Sequence, residues 1–291
     1  MMSSPASAPS TRRARAARWF GRCFYACGAT GIPEQISCLG DRYVLERVFK
    51  HDFFAASALY RREAETTGSH DGPDRIVCKM GRRMHFCLIP LGWFGRLITH
   101  SEVRNLGRCE GIPEVPRILA RLSPNSYAYG YIEGTSLHDR PPLPKDYFDR
   151  LLAALRQIHA RNVVHFDLHK PGNILVDADG RPHIIDFQVS RHIGDRALLS
   201  KWLSRRLRRW LQSYDTYHLC KHKRKLQPEL LTPEEERLSR NRSLALRIHR
   251  AIAGPYKRIR RTCLRYLHAR GVLIAPDHDE SPETNPARWA K

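Results

Sequence analysis

The stretch HFDLHKPGNIL, residues 165–175, sets an aspartate between two histidines and follows it with Pro-Gly-Asn ahead of an apolar run. His165, Asp167 and His169 supply the ligand types of a 2-His-1-carboxylate iron site. That kind of site takes its second histidine from a distant strand of a large β-barrel, whereas the region downstream here reads as helical. A phosphate-transfer reading uses more of the residues. Transfer to a hydroxyl needs a carboxylate that orients the hydroxyl and accepts its proton, and further oxygen donors for Mg²⁺ on a triphosphate. Asp167 suits the first task, and Asn173 and Asp186 suit the second. Asn173 opens, and Asp186 closes, a predicted strand-turn-strand unit (NILVD, ADGR, PHIIDF), so both arrive at one end of the ribbon. The competing reading, ordinary loop residues beside an ordinary strand end, makes the whole ordered set a coincidence.

The elements that must position these residues are legible on either side. Between Asp41 and Met80 the runs YVLERVF, SALYR and RIVCKM, separated by HDFFAA and TTGSHDGPD, predict a small antiparallel sheet. Helical spacing follows over Arg96 to Arg108, and VPRILARL and YAYGYIEG, on either side of a turn at SPNS, predict two more strands. The segment from PPLPKD onward predicts an amphipathic helix opened by Pro144, with Phe148, Leu151, Leu152, Leu155 and Ile158 on one face. Beyond the ribbon all is predicted helical. One helix start is written as LTPEEE, with Thr232 as cap, Pro233 in the first turn and Glu235 completing a capping box. The expected organisation is a basic disordered arm over 1–37, a strand-rich lobe over 38–134, a helical lobe over 135–275 and a polar tail over 276–291.

Composition limits the function classes. The 291 residues are 42% hydrophobic and 27% charged, as in globular proteins. The longest apolar stretch, FCLIPLGWFG, is too short to span a bilayer. Eight cysteines include one CxxxC, Cys23 and Cys27, and no repeated CxxC, which argues against a zinc framework and for reduced thiols in a cytosolic protein. The arm carries the composition of a mitochondrial transit peptide as well. The net charge is +21, and from residue 191 onward there are 24 Lys and Arg against 10 Asp and Glu. A polyanionic partner is implied, against the plainer reading of arginine on solvated helix faces. The runs RRLRRW and KHKRK lack a recognition module with base-stacking aromatics, so nucleic acid is not the expected partner.

In this order the residues resemble the protein-kinase-like superfamily. HFD at 165–167 is similar to its HRD, Asn173 to its catalytic-loop asparagine and DFQ at 186–188 to its DFG. Lys79, in RIVCK, resembles the lysine that contacts the α- and β-phosphates, and Glu102, in THSEVRNLGR, the helix glutamate that holds it. The resemblance covers about 41–188 and implies a bilobal α+β fold, a small antiparallel N-lobe sheet over a mainly helical C-lobe, with ATP and Mg²⁺ as cofactors. It implies Asp167, Lys79 and Glu102 as catalytic residues, Asn173 and Asp186 as metal ligands, and Tyr131, Ile132 and Glu133 as the hinge that meets adenine. Asp215 is either the helix aspartate that braces the catalytic loop or a surface residue.

Departures from the pattern point to a subgroup. HDFFAAS at 51–57 stands where a glycine-rich loop is expected, so backbone and small side chains of a different turn would cover the phosphates. Phe166 replaces the arginine of HRD. His169 replaces lysine after Asp-Leu, as in small-molecule kinases, and counts among the nucleotide-binding residues. Lys170 lengthens the interval from Asp167 to Asn173 by one, and no Ala-Pro-Glu follows Gln188. With EGIPEVPRIL and IDFQVS these features resemble the bacterial lipopolysaccharide kinases. That resemblance implies an anionic sugar-lipid acceptor at the inner face of the cytoplasmic membrane. The alternatives are an atypical Ser/Thr protein kinase with a protein substrate, and a pseudokinase-like binding module.

Overall fold

The computed structural model describes residues 23–28, 31–63, 72–86, 89–194 and 201–240, with 258–259, 262 and 265–266. Most of the arm, the tail and the basic run at 257–261 lie outside the described residues.

Six antiparallel strands make one sheet in the order β1-β2-β3-β4-β6-β5. They are β1 (Gln35–Cys38), β2 (Asp41–His51), β3 (Ala55–Arg62), β4 (Arg75–Gly81), β5 (Ile118–Ser123) and β6 (Ser126–Gly130). The predicted sheet is present, with one strand more than the sequence suggested. Gln35 to Ser37, all but the last residue of β1, lie in the span read as an arm. Phe24 to Cys27 of that span are also buried, because Ala26 exchanges backbone hydrogen bonds with Asp52, Arg83 and Met84.

Helix α1 (Gly92–Arg108) packs across the sheet on a face of Gly95, Thr99, Glu102, Asn105 and Leu106, a spacing of three and four. It begins four residues before the predicted start. Its approach is set by two glycines: a Cβ on Gly95 would stand 2.1 Å from the Arg82 carbonyl oxygen, and one on Gly81 would stand 2.4 Å from Thr99 Oγ1. Close seating at Gly95 carries Glu102, two turns further on the same face, to the β4 side chains.

The second lobe is built on α2 (Tyr147–Ala160) and α3 (Lys201–Leu226), with α4 (Pro233–Arg240) beyond. The five residues predicted for the inner face of α2 are all buried, together with Leu168, Ile174, Ile184, Phe187 and Leu219. The helix starts at Tyr147 and not at Pro144. Thr232 and Glu235 form the capping box: the Glu235 N–H donates to Thr232 Oγ1 at 3.2 Å and the Thr232 N–H to Glu235 Oε2 at 2.9 Å.

Short strands complete the lobe. β7 (Thr135–Ser136) flanks a ribbon of β9 (Ile174–Val176) and β10 (Pro182–Ile184), and β8 (Val163–Val164) pairs with β11 (Arg191–His192). β11 corrects the expectation that only helices follow the ribbon. A strand-rich lobe with one helix, joined to a mainly helical lobe, is the bilobal protein-kinase-like α+β fold. Among the described residues no helix is long and apolar enough to cross a membrane.

Candidate active site

Lys79 lies in β4, where it is paired on both sides by neighbouring strands, and its ammonium is the hub of the site. Nζ stands 2.6 Å from Glu102 Oε1 and 2.5 Å from Asp186 Oδ1. Residues 23 and 107 positions away thus meet on one cation. Lys79 and Glu102 are buried, whereas the Asp186 side chain keeps 23% exposure. Burial alone would lower the lysine, but Asp186 and Glu102 push it above its ordinary value. Burial would likewise raise the Asp186 carboxyl, and Lys79 and then Lys50 overcome it, holding the group ionised well below the usual carboxylate range. Glu102 is pushed up by burial, opposed by Lys79 and by a hydrogen bond from the Tyr127 hydroxyl. A small pocket lined by Leu106, Pro116, Tyr127 and Tyr129 backs this cluster.

Asp186 has φ 63°, a conformation uncommon outside glycine. It lies two residues past the end of β10, and Asn173 ends a short 3-10 turn just before β9, so neither sits inside a strand as the sequence suggested. The register still brings the two together, because the Ile185 N–H donates to the Asn173 carbonyl at 3.0 Å. Phe187 points into the core and meets the His165 ring edge-on at 4.7 Å. After it, Ser190 is buried and accepts Asn105 Nδ2 at its carbonyl (3.0 Å) and its Oγ (2.9 Å), which ties the segment to α1 one turn beyond Glu102.

Asp167 is 6% exposed and receives three side chains. Asn173 Nδ2 donates to Oδ2 at 3.0 Å and to the Asp167 carbonyl at 3.1 Å. Lys170 Nζ reaches Oδ2 at 2.9 Å, and His169 Nδ1 lies 3.2 Å from Oδ1. The extra residue of the loop therefore delivers a lysine to the carboxylate, a contact that spacing alone did not reveal. His169, expected at the nucleotide, stands beside Asp167. Beneath the loop, Asp215 of α3 is fully buried and accepts the N–H of His165 at 2.7 Å and of Phe166 at 2.9 Å, with His159 Nε2 at 3.1 Å. Of the two readings open for Asp215, the brace is the observed one. It supports Phe166 at φ 66°, whose ring lies 6.3 Å from Tyr214.

Tyr131, Ile132 and Glu133 form the extended connection between the lobes, with the Tyr131 ring stacked on Phe49 at 6.2 Å. A Cβ on Gly134 would lie 2.7 Å from the Val176 carbonyl oxygen, so a glycine lets the connection run against the ribbon. His165 is buried with its basicity lowered, first by burial, and its Nε2 lies 3.1 Å from the Ile185 carbonyl. Among the described residues no group of three or more His, Cys, Asp and Glu could hold a metal, and the iron reading has no support in the geometry. Mg²⁺ on a triphosphate is a different case, since most of its ligands come from water and phosphate. An ionised Asp186 and an Asn173 whose Nδ2 is committed to Asp167, leaving Oδ1 as its acceptor, fit that ion.

The protein kinase domain family model matches residues 132–207, from the connection through the catalytic loop and DFQ into α3. A receptor-like protein kinase of Ipomoea nil is 38% identical over 82 residues, 24% of this chain and 7% of that one. Mitogen-activated protein kinase kinase kinase 3 of Arabidopsis thaliana is 35% identical over 71 residues, 22% and 12%. CBL-interacting serine/threonine-protein kinase 16 of Arabidopsis thaliana is 28% identical over 160 residues, 52% and 32%. The matched stretches thus cover under a third of each relative's length. Fold and site have the protein-kinase-like arrangement, and over residues 132–207 the chain is similar to the protein kinase domain family.

Proposed function

We propose that the protein is an ATP- and Mg²⁺-dependent phosphotransferase that delivers phosphate to an acceptor hydroxyl. The observation that carries this reading is the meeting of Glu102 and Asp186 on the Lys79 ammonium, beside a loop in which Asn173 is bonded to Asp167 and tied by its carbonyl to Ile185. In this account Lys79, held by Glu102, grips phosphate oxygens, and Tyr131 to Glu133 meet the adenine edge. Asp167 orients the acceptor hydroxyl and takes its proton as the bond to phosphorus forms. Lys170, 2.9 Å from that carboxylate, is placed to offset charge on the transferring group. Bound Mg²⁺, held by Asn173 and Asp186, would supply charge neutralisation on the triphosphate.

For the acceptor, the relatives favour a protein hydroxyl, since several are named serine/threonine kinases. A second reading, a sugar hydroxyl of lipopolysaccharide core or a similar anionic sugar-lipid, rests on a specific observation. Only residues 189–200 separate Gln188 from α3, with no Ala-Pro-Glu, which leaves little chain for a peptide platform. The basic residues of α3 would then hold the protein at the cytoplasmic membrane face. Transfer of labelled γ-phosphate, followed side by side into a protein extract and into deacylated and intact core lipopolysaccharide, separates the acceptors. Label in protein Ser or Thr alone would remove the sugar-lipid reading, and label in the glycolipid alone would remove the protein one.

A further inference from the structure

Lys50, near the end of β2, pairs with Ser57 of β3, and Ser57 pairs with Lys79 of β4. Directly paired residues on antiparallel strands project from the same face, so Lys50 shares the face from which Lys79 meets Glu102 and Asp186. Two strand spacings, roughly 10 Å, separate the two backbones, a span that two long lysine side chains can close over one ligand.

The turn after Lys50 occupies the place of a glycine-rich phosphate loop, yet two of its backbone donors are already engaged. Asp52 Oδ1 accepts the N–H groups of Phe54 at 2.8 Å and Ala55 at 2.9 Å. Those amides cannot also cradle phosphate. The other Asp52 oxygen holds Lys50 Nζ at 2.9 Å, and the lysine side chain is 29% exposed where Asp52 is 3%. Arg82 fixes the turn from below, donating to the Phe53 carbonyl at 2.8 Å with its guanidinium 4.0 Å from the Phe53 ring. The charge of Lys50 is also felt at Asp186, where it helps keep the carboxyl ionised.

We infer that Lys50, aimed by Asp52, is a second cationic contact for the triphosphate and stands in for the backbone cradle that this turn no longer offers. The inference rests on the phosphotransferase reading of the site. On this inference the Lys50–Asp52 pair would contribute to covering the phosphates, beside the small side chains expected of this turn.

Calorimetric titration of the full chain with Mg-ATP and with adenosine tests it, using wild type, Lys50→Met and Lys50→Arg. Lys50→Met is expected to weaken Mg-ATP about tenfold or more while adenosine affinity stays within about twofold, and Lys50→Arg to recover most of the loss. Because the ratio of the two affinities is internal to each variant, partial unfolding cannot imitate the result. Equal losses for both ligands, or no loss for either, would overturn the inference and leave Lys50 a brace for the turn. A wild type that binds neither ligand would remove the phosphotransferase reading itself, and this inference with it.

Discussion

Glu102 Oε1 stands 2.6 Å from Lys79 Nζ, with both side chains almost wholly shielded from water. A buried ion pair of this kind is costly to break from either end, because the survivor keeps its charge without its partner. Lys79→Met and Glu102→Gln should therefore be non-additive: each single change lowers phosphate transfer on the order of 100-fold or more, and the double variant little further. Steady-state kinetics on the four proteins measures this. A double variant that shows the full product of both losses would take Glu102 out of the site.

Asp215 offers a test of how the catalytic loop is held. Asp215→Ala strands the N–H groups of His165 and Phe166 in a buried place, at about 1–3 kcal/mol for each. The expected result is a lowered melting temperature together with a lowered kcat and nearly unchanged adenosine affinity, since the connection at 131–134 is remote from the change. Unaltered thermal stability would mean that the loop does not depend on this brace.

His51 should make folding stability sensitive to acid. Burial lowers its pKa from 6.5 to about 4, opposed by Asp52, and its Nε2 accepts the Cys27 N–H at 3.2 Å. Between those values the unfolded chain binds a proton that the folded chain does not, so stability rises with pH across 4 to 6.5 and this contribution is flat above it. The full contribution is ~3 kcal/mol by the cost of one pKa unit. Tyr25 and Asp52 are the other groups facing this ring. Denaturant melts of wild type and His51→Gln at pH 7 and pH 5 check it: the gap in stability between the two proteins should shrink at the lower pH. A gap independent of pH would contradict a neutral, accepting His51.

The start of α3 should bind an anionic surface. Arg205, Arg206 and Arg209 are exposed beside Trp202, over whose ring the Arg206 guanidinium sits at 5.5 Å. Arg208, in the same basic run, instead donates to the Ile193 carbonyl at 3.0 Å and should be left in place. At about 1 kcal/mol for each basic residue near an anionic bilayer, changing 205, 206 and 209 from Arg to Gln should weaken co-sedimentation with anionic liposomes on the order of 100-fold. Binding to neutral liposomes equal to that of anionic ones would reduce this run to a solvated helix face, and a gel shift with DNA or RNA of equal strength would favour nucleic acid instead.

What could be read from the sequence, and what could not, divides along local and non-local causes. The inner face of α2 and the Thr232–Glu235 cap follow from spacings within one or two helical turns, and those residues behave as their types dictate. Asp167, Asn173 and Asp186 were legible because a tight turn at ADGR leaves few ways to fold the ribbon between them. Lys50 was hidden because its facing depends on register shifts in β2, between Leu45 and Arg47 and between Val48 and Lys50, which no local pattern announces. Phe24 to Cys27 looked like part of a basic arm, and tertiary contacts bury them: Ala26 bonds to the backbone of Asp52, Arg83 and Met84, and the Arg82 guanidinium reaches the carbonyls of Cys23 and Phe24. Lys170 was visible only as one residue too many, and its role emerged when the longer loop set Nζ on Asp167.

The central claim is that Asp167 serves the acceptor's proton and not the nucleotide or the fold. Asp167→Asn keeps the shape of the side chain and removes its basicity, so single-turnover transfer of γ-phosphate, measured beside Mg-ATP affinity on the same preparation, tests the claim directly. The account predicts a loss of transfer on the order of 100-fold or more with Mg-ATP affinity within about threefold of wild type. Transfer that persists within tenfold, or a loss of Mg-ATP affinity as large as the loss of rate, would contradict it.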